Sequence, residues 1–239
     1  MKNKPEILYE DTDLLLLNKP PGVLSVPDRQ RTDRPNLRHL LERDYGEIFV
    51  VHRLDRETSG AICYARNAEA HRDLSLQFQK RTVRKVYYAL VDGVVREDEG
   101  SINASIGESA SVAGKMTVVR RGKSALTDWK VVQRFQKFSL LEVVIHTGRT
   151  HQIRVHLAHI GHPLAVDELY GHRGELPLSA IKKNYRRGQR EERGLIRRLS
   201  LHAHALTVRQ PSSGQEISVE APLPKDFAVA LRQLERWGK

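Results

Sequence analysis

The stretch Val51-His52-Arg53-Leu54-Asp55-Arg56-Glu57-Thr58-Ser59-Gly60 is polar, lies between apolar segments, and ends in a glycine suited to a tight turn. Its Asp55 is flanked by Arg53 and Arg56, and cationic neighbours keep a carboxylate ionised and able to act as a nucleophile. The same charge pattern also describes a solvated loop with surface salt bridges. A second cluster, Thr147-Gly148-Arg149-Thr150-His151-Gln152-Ile153-Arg154, sets two arginines at the start of an expected helix. A helix N-terminus attracts anions, so cations crowded there call for a phosphate or carboxylate to offset them. Other candidates fall away. Gly107–Lys115 misses the phosphate-loop spacing and is followed by Met116 where Ser or Thr is needed, and there is no Gly-x-Gly-x-x-Gly. His156, His159 and His162 repeat at three-residue steps, but His162 lies beyond the stop at Gly161 and no carboxylate or thiolate joins them, so no metal is expected. Cys63 sits in an apolar run and reads as core.

The elements that must hold these clusters follow from pattern. Ile7–Tyr9 and Leu14–Asn18 read as strands, the second leading into a Lys19-Pro20-Pro21-Gly22 turn. Asn36 is placed to cap a helix through Leu37, Leu40 and Leu41, and Asn67 to cap another with Leu74 and Phe78 inward. Ala61–Ala65 reads as a buried strand and Thr82–Val91 as a long one, with Tyr87, Ala89 and Val91 on one face. Thr127–Phe135 and Phe138–His146 form an antiparallel pair around Gln136-Lys137. Thr150 is expected to cap the next helix, which carries Ile153, Leu157 and Ile160. Strands follow near Ala203–Arg209 and Glu216–Glu220, and Pro224 opens a helix using Phe227, Leu231 and Leu234. Strands scattered without βαβ alternation argue for one α+β domain.

Composition narrows the setting. The chain has 239 residues, 40 Lys+Arg against 29 Asp+Glu, and a formal net charge of +11. Residues 101–150 carry 8 basic and 3 acidic groups and residues 151–200 carry 10 and 5, so this hundred residues holds nearly all of the excess. Such charge favours a polyanionic partner. A solvated helix face is the plainer account of the run around Lys182, Lys183, Arg186 and Arg187. No apolar run approaches the roughly 20 residues of a membrane span. The single cysteine excludes a disulfide framework, and no export signal is visible. A soluble, reduced, cytoplasmic protein without a membrane partner is expected.

His52–Gly60 spells HRLDRETSG without interruption, and Gly148–His156 spells GRTHQIRVH. Glu10–Asp13 through Asn18–Gly22, Lys85-Val86-Tyr87, Gly161–Pro163, Tyr170-Gly171 and Leu201–Ala203 fall in order around them. In these features, from about residue 6 to 224, the chain resembles the RluA family of RNA pseudouridine synthases. The resemblance implies one catalytic domain over 1–239, α+β, with a central mixed and largely antiparallel sheet flanked by helices and loops. It implies cofactor-free isomerisation of uridine to pseudouridine in structured ribosomal or transfer RNA. No leading S4-type RNA-binding domain is expected, about 172–198 reads as a basic insertion relative to the shortest members, and a monomer is expected. Asp55 matches the catalytic aspartate, attacking C1′ of the ribose or C6 of the base. Tyr87 matches the active-site tyrosine, and Arg154 the basic partner of the carboxylate. Arg53 matches the residue that fills the space left by a flipped base. His52, Arg149, Lys182, Lys183, Arg186 and Arg187 are further expected RNA contacts. Two departures stand out: Ala165-Val166-Asp167 lacks the usual glycine before the aspartate, and about 29 residues separate Gly171 from Leu201. A non-catalytic RNA-binding or ribosome-assembly protein on the same scaffold remains open at this point. A glycosidase or nuclease using Asp55 with Glu57 is disfavoured by their spacing.

Overall fold

The computed structural model describes residues 5–28, 35–185 and 191–238; Arg186 and Arg187 therefore lie outside the described residues. In chain order the elements are β1 (Glu6–Glu10), β2 (Leu14–Lys19), α1 (Leu37–Tyr45), β3 (Phe49–Val50), β4 (Ser59–Ala65), α2 (Ala68–Lys80) and β5 (Arg84–Asp92). Then come β6 (Glu99–Asn103), β7 (Ile106–Glu108), β8 (Met116–Val118), β9 (Leu126–Arg134), β10 (Phe138–Ile145) and α3 (Gln152–His159). α4 (Leu178–Ile181), β11 (Leu201–Arg209), β12 (Glu216–Glu220) and α5 (Lys225–Trp237) complete the chain. The pairs β1–β2, β2–β4, β3–β4, β6–β9, β7–β8, β9–β10 and β11–β12 run antiparallel, and β4 with β11 runs parallel. This is the mixed, largely antiparallel α+β arrangement that the resemblance implies.

Contacts divide the chain into two compact units, Met1–Val86 with His202–Pro222, and Tyr87–Leu201 with Leu223–Lys239. In the first, β2 pairs with β1 and with β4, and β4 also meets β3 and β11. Leu14–Leu17 are all fully buried, as a continuous apolar run requires when both sheet faces are covered. Asn67 Oδ1 accepts from the Ala70 N–H at 2.8 Å, starting α2 so that Ala70 and Leu74 meet Cys63, Ala65 and Leu206. Asn36 caps α1 in the same way, through the His39 N–H at 3.0 Å.

In the second unit β9 pairs with β10 and with β6, the β9–β10 turn closing through Phe135 N–H to Phe138 O at 2.8 Å. Phe227, Ala230 and Leu234 of α5 bury against Phe138, Leu140 and Leu90, with Leu231 partly buried beside them. Tyr88 and Leu90 face this cluster, so alternation turns Tyr87, Ala89 and Val91 to the other side of β5. Two short elements, β3 and α4, carry too few residues to show a period and escape a pattern reading.

One expectation is corrected here. α3 begins at Gln152, and the capping position belongs to His151, in the left-handed region at φ 56°, not to Thr150. Within the basic stretch 172–198, Arg197 and Arg198 meet acidic side chains. Arg198 is 8% exposed and holds Asp226 through Nε at 2.7 Å and Nη2 at 2.9 Å, while Arg197 Nε approaches Glu175 at 3.6 Å. Arg198 is thereby tied into the fold, whereas Arg197 stays exposed.

Candidate active site

The segment carrying Asp55 is a loop clamped by its backbone. Lys19 at the end of β2 is fully buried, and its Nζ donates to the carbonyls of Pro20 (3.0 Å), Val23 (2.8 Å) and Arg56 (2.9 Å). An ammonium has three donors, and three carbonyls replace its hydration. Gly22 N–H reaches the same Arg56 carbonyl at 2.9 Å. Ser25 Oγ donates to Leu54 O at 3.0 Å and accepts from Leu54 N at 3.1 Å. Thr58 N–H closes a turn onto Asp55 O at 3.1 Å. Downstream, Ser59 Oγ meets His202 Nδ1 at 3.0 Å, and β4 runs parallel to β11 at Gly60 and Ala203. A Cβ on Gly60, whose φ is +114°, would fall 2.1 Å from the Ala203 carbonyl oxygen, so only glycine fits.

On this clamped loop the side chains divide. Leu54 is buried, Arg53 is exposed and Asp55 is half-buried, while Arg56 Nε pairs with Glu57 at 2.8 Å in a solvated position. His52 turns inward: its Nε2 accepts from the Cys63 N–H at 2.9 Å, and its ring stacks on Phe78 at 4.6 Å. Burial, reinforced by the Lys85 ammonium, holds its pKa down to about 3, so the imidazole is neutral and braces the loop against β4 and α2. The buried Cys63 thiol is pushed far up by desolvation and stays protonated.

In the second unit the motif around α3 fixes an arginine. Gln152 is buried, and its Oε1 accepts from Thr147 Oγ1 at 2.7 Å and Arg149 N at 3.0 Å. Its Nε2 donates to Leu126 O at 3.0 Å and Thr127 Oγ1 at 2.9 Å. His156 stands between Thr127 Oγ1 and Ala104 O, each at 2.9 Å, and burial lowers its pKa. These two residues pin α3 to β9, and Arg154 projects between them in sequence. Arg154 is 8% exposed and grips Asp167 through Nε at 2.7 Å and Nη2 at 2.9 Å, a bidentate ion pair. Arg149 Nε donates to Ser124 O at 3.0 Å. Tyr87 is buried on β5.

His52, Arg53 and Asp55 thus share one loop of the first unit. Arg149 and Arg154 share one turn-and-helix of the second, with Tyr87 on a strand of that unit. Lys182 and Lys183 follow α4; Lys183 is exposed, and Lys182 Nζ lies 4.2 Å from the Trp237 ring centroid. Pattern reading missed Lys19 and Gln152. The signal for Lys19 was a cation ending a four-leucine strand; for Gln152 there was none beyond the family string. No group of three or more His, Cys, Asp or Glu among the described residues is arranged to hold a metal ion.

Residues 13–159 match the RNA pseudouridylate synthase family. The chain belongs to the RluA family of RNA pseudouridine synthases. It is 38% identical over 241 residues to the protein named uncharacterized RNA pseudouridine synthase YlyB of Bacillus subtilis, covering 98% of this chain and 74% of that one. It is 38% identical over 236 residues to ribosomal large subunit pseudouridine synthase D of Pseudomonas aeruginosa, covering 97% and 72%. Among solved structures, human RNA pseudouridylate synthase domain containing 4 superposes with a TM-score of 0.72 at 26% identity, covering 96% of this chain and 93% of that one. As a member of the RluA family the chain is an isomerase that converts uridine in RNA to pseudouridine. No helix among the described residues is long and apolar enough to cross a membrane.

Proposed function

We propose that this RluA-family enzyme acts on uridines in structured RNA, ribosomal or transfer, with Asp55 as its nucleophile. The observation that carries the reading is the Asp55 loop. Lys19, Ser25 and the Thr58 turn fix its backbone, yet Asp55 keeps partial exposure and Arg53 is open to solvent. Rigid support for an accessible carboxylate is what nucleophilic attack needs. Asp55 attacks C1′ or C6; the N1–C1′ bond breaks, the uracil turns, C5 bonds to C1′, and the bond to Asp55 breaks, by displacement from C1′ or elimination from C6, returning its carboxylate. The C5 proton leaves and N1 ends protonated, so atoms and electrons balance without an oxidant, reductant or group donor.

Tyr87 stacks on the uracil and assists proton removal from C5, and Arg154 serves as the cation of the catalytic carboxylate. A stacked uridine must be extruded, at a cost of a few kcal/mol, before any of this chemistry starts. The exposed Arg53 takes the vacated place, its planar guanidinium stacking as well as donating. The Pseudomonas relative's name specifies the large ribosomal subunit, which favours ribosomal RNA as the first substrate to assay.

The test is tritium release from RNA labelled at uridine C5. The wild type releases tritium, and Asp55→Asn slows release by at least about a thousandfold while still binding the RNA. Undiminished release from the variant overturns the assignment of Asp55.

A further inference from the structure

Arg154 rests on a tyrosine that the chemistry leaves unassigned. The Arg154 guanidinium carbon lies 4.8 Å from the Tyr170 ring centroid, a cation–π distance. Tyr170 is tied to the same ion pair by its backbone: Asp167 Oδ1 accepts from Tyr170 N at 3.1 Å and Leu169 N at 2.9 Å while also accepting from Arg154 Nη2. Its hydroxyl is anchored twice more. Oη accepts from the Met116 N–H at 2.8 Å, in the β7–β8 hairpin, and pairs with His151 Nδ1 at 2.8 Å. His151 is the residue held left-handed at φ 56° at the head of α3, a conformation uncommon outside glycine. The hairpin also brings Lys115 Nζ within 5.5 Å of the same ring. One residue therefore meets the guanidinium, the head of its helix and the β7–β8 hairpin through its side chain, and the carboxylate of the ion pair through its backbone.

We propose that Tyr170 is the positioning residue for Arg154, its ring forming the bed of the guanidinium and its hydroxyl locking that bed to the β7–β8 hairpin and His151. The consequence for function rests on Arg154 acting with the catalytic carboxylate, as proposed above.

The experiment combines a double-mutant cycle with a direct view of the guanidinium. Tyr170→Phe keeps the ring and loses the anchor, and lowers kcat about threefold to tenfold, the range of one hydrogen bond. Tyr170→Leu also loses the ring and lowers kcat about tenfold or more, with RNA affinity unchanged in both. In an Arg154→Lys background neither substitution lowers kcat further, because the effect passes through Arg154. Hydrogen exchange at Arg154 Nε–H, followed by NMR on the free protein, accelerates in both variants. Additive losses of kcat, or unchanged exchange in both variants, overturn the proposal. A fully active Arg154→Lys enzyme would instead overturn the catalytic reading of Arg154, and Nε–H exchange would still decide the positioning role. Should Tyr170→Leu fail to fold, Tyr170→Phe carries both measurements.

Discussion

A buried ammonium survives only if its donors are met, and Lys19 meets them with backbone carbonyls, one of them from the residue after Asp55. Lys19→Met keeps the stem's volume and removes the donor from those carbonyls, leaving Arg56 O with the Gly22 N–H. Each unsatisfied buried group costs about 1–3 kcal/mol, so a loss of roughly 3 kcal/mol in urea unfolding is expected, with turnover falling as the Arg56 carbonyl loses one of its two donors. His52 gives a second residue-scale prediction, with a sign. Its folded pKa of about 3 lies below the 6.5 of an unperturbed histidine. Between those values the unfolded chain binds a proton that the folded chain refuses, so stability falls as pH drops from 6.5 toward 3. The slope is at most about 1.4 kcal/mol per pH unit for one proton. His156, also lowered, adds in the same direction. Urea unfolding at pH 7 and pH 5 measures the slope; His52→Gln flattens it, and parallel curves for the two proteins would show that the ring is not held neutral.

At the scale of elements, local signals were legible and distant ones were not. The Asn36 and Asn67 caps, the β9–β10 hairpin and the leucine strand are written in adjacent residues, and the structure places each where its pattern does. The start of α3 was misread because Thr150 has the chemistry of a cap, whereas Gln152 takes up the turn by reaching Thr147 and Arg149 from inside the helix. That choice depends on Leu126 and Thr127, about 25 residues upstream, which no local rule inspects. Gly60 is similar: its turn chemistry is local, but the reason it must be glycine is the Ala203 carbonyl 143 residues away. Gly60→Ala therefore separates the two explanations. A positive φ alone costs an alanine about 1–2 kcal/mol, whereas a Cβ jammed against β11 must push the strands apart. A loss above about 3 kcal/mol, with activity abolished, is expected from chemical denaturation. A loss confined to the smaller figure would show that the turn, not the strand contact, demands glycine.

For the molecule as a whole, ion pairing leaves the formal +11 unchanged, but it decides which cations of the basic hundred residues stay open to RNA. Arg154 on Asp167, Arg173 on Asp92 and Arg198 on Asp226 all fall within the basic hundred residues, and each partner lies between 13 and 81 positions away. A sequence count includes these acids but cannot say which arginine each one meets, so it does not separate Arg154, Arg173 and Arg198 from the cations left in solvent. The exposed cations Arg120, Arg121, Lys123 and Lys183 remain as better candidates for phosphate contacts. Each phosphate contact releases counterions, so its removal flattens the dependence of log K on log salt by roughly 0.7 to 0.9. Replacing Arg120, Arg121 and Lys123 together by alanine is therefore expected to weaken RNA binding and to flatten the salt slope by roughly 2 to 3, without altering thermal stability. Arg198→Ala, by contrast, leaves Asp226 without its bidentate partner and is expected to lower the melting temperature while leaving the salt slope of the folded fraction intact. If the triple variant kept the wild-type slope, the charge of this region would be solvated surface, and RNA would have to be gripped elsewhere. Replacing Arg186 and Arg187 and measuring the same slope then tests that remaining stretch directly.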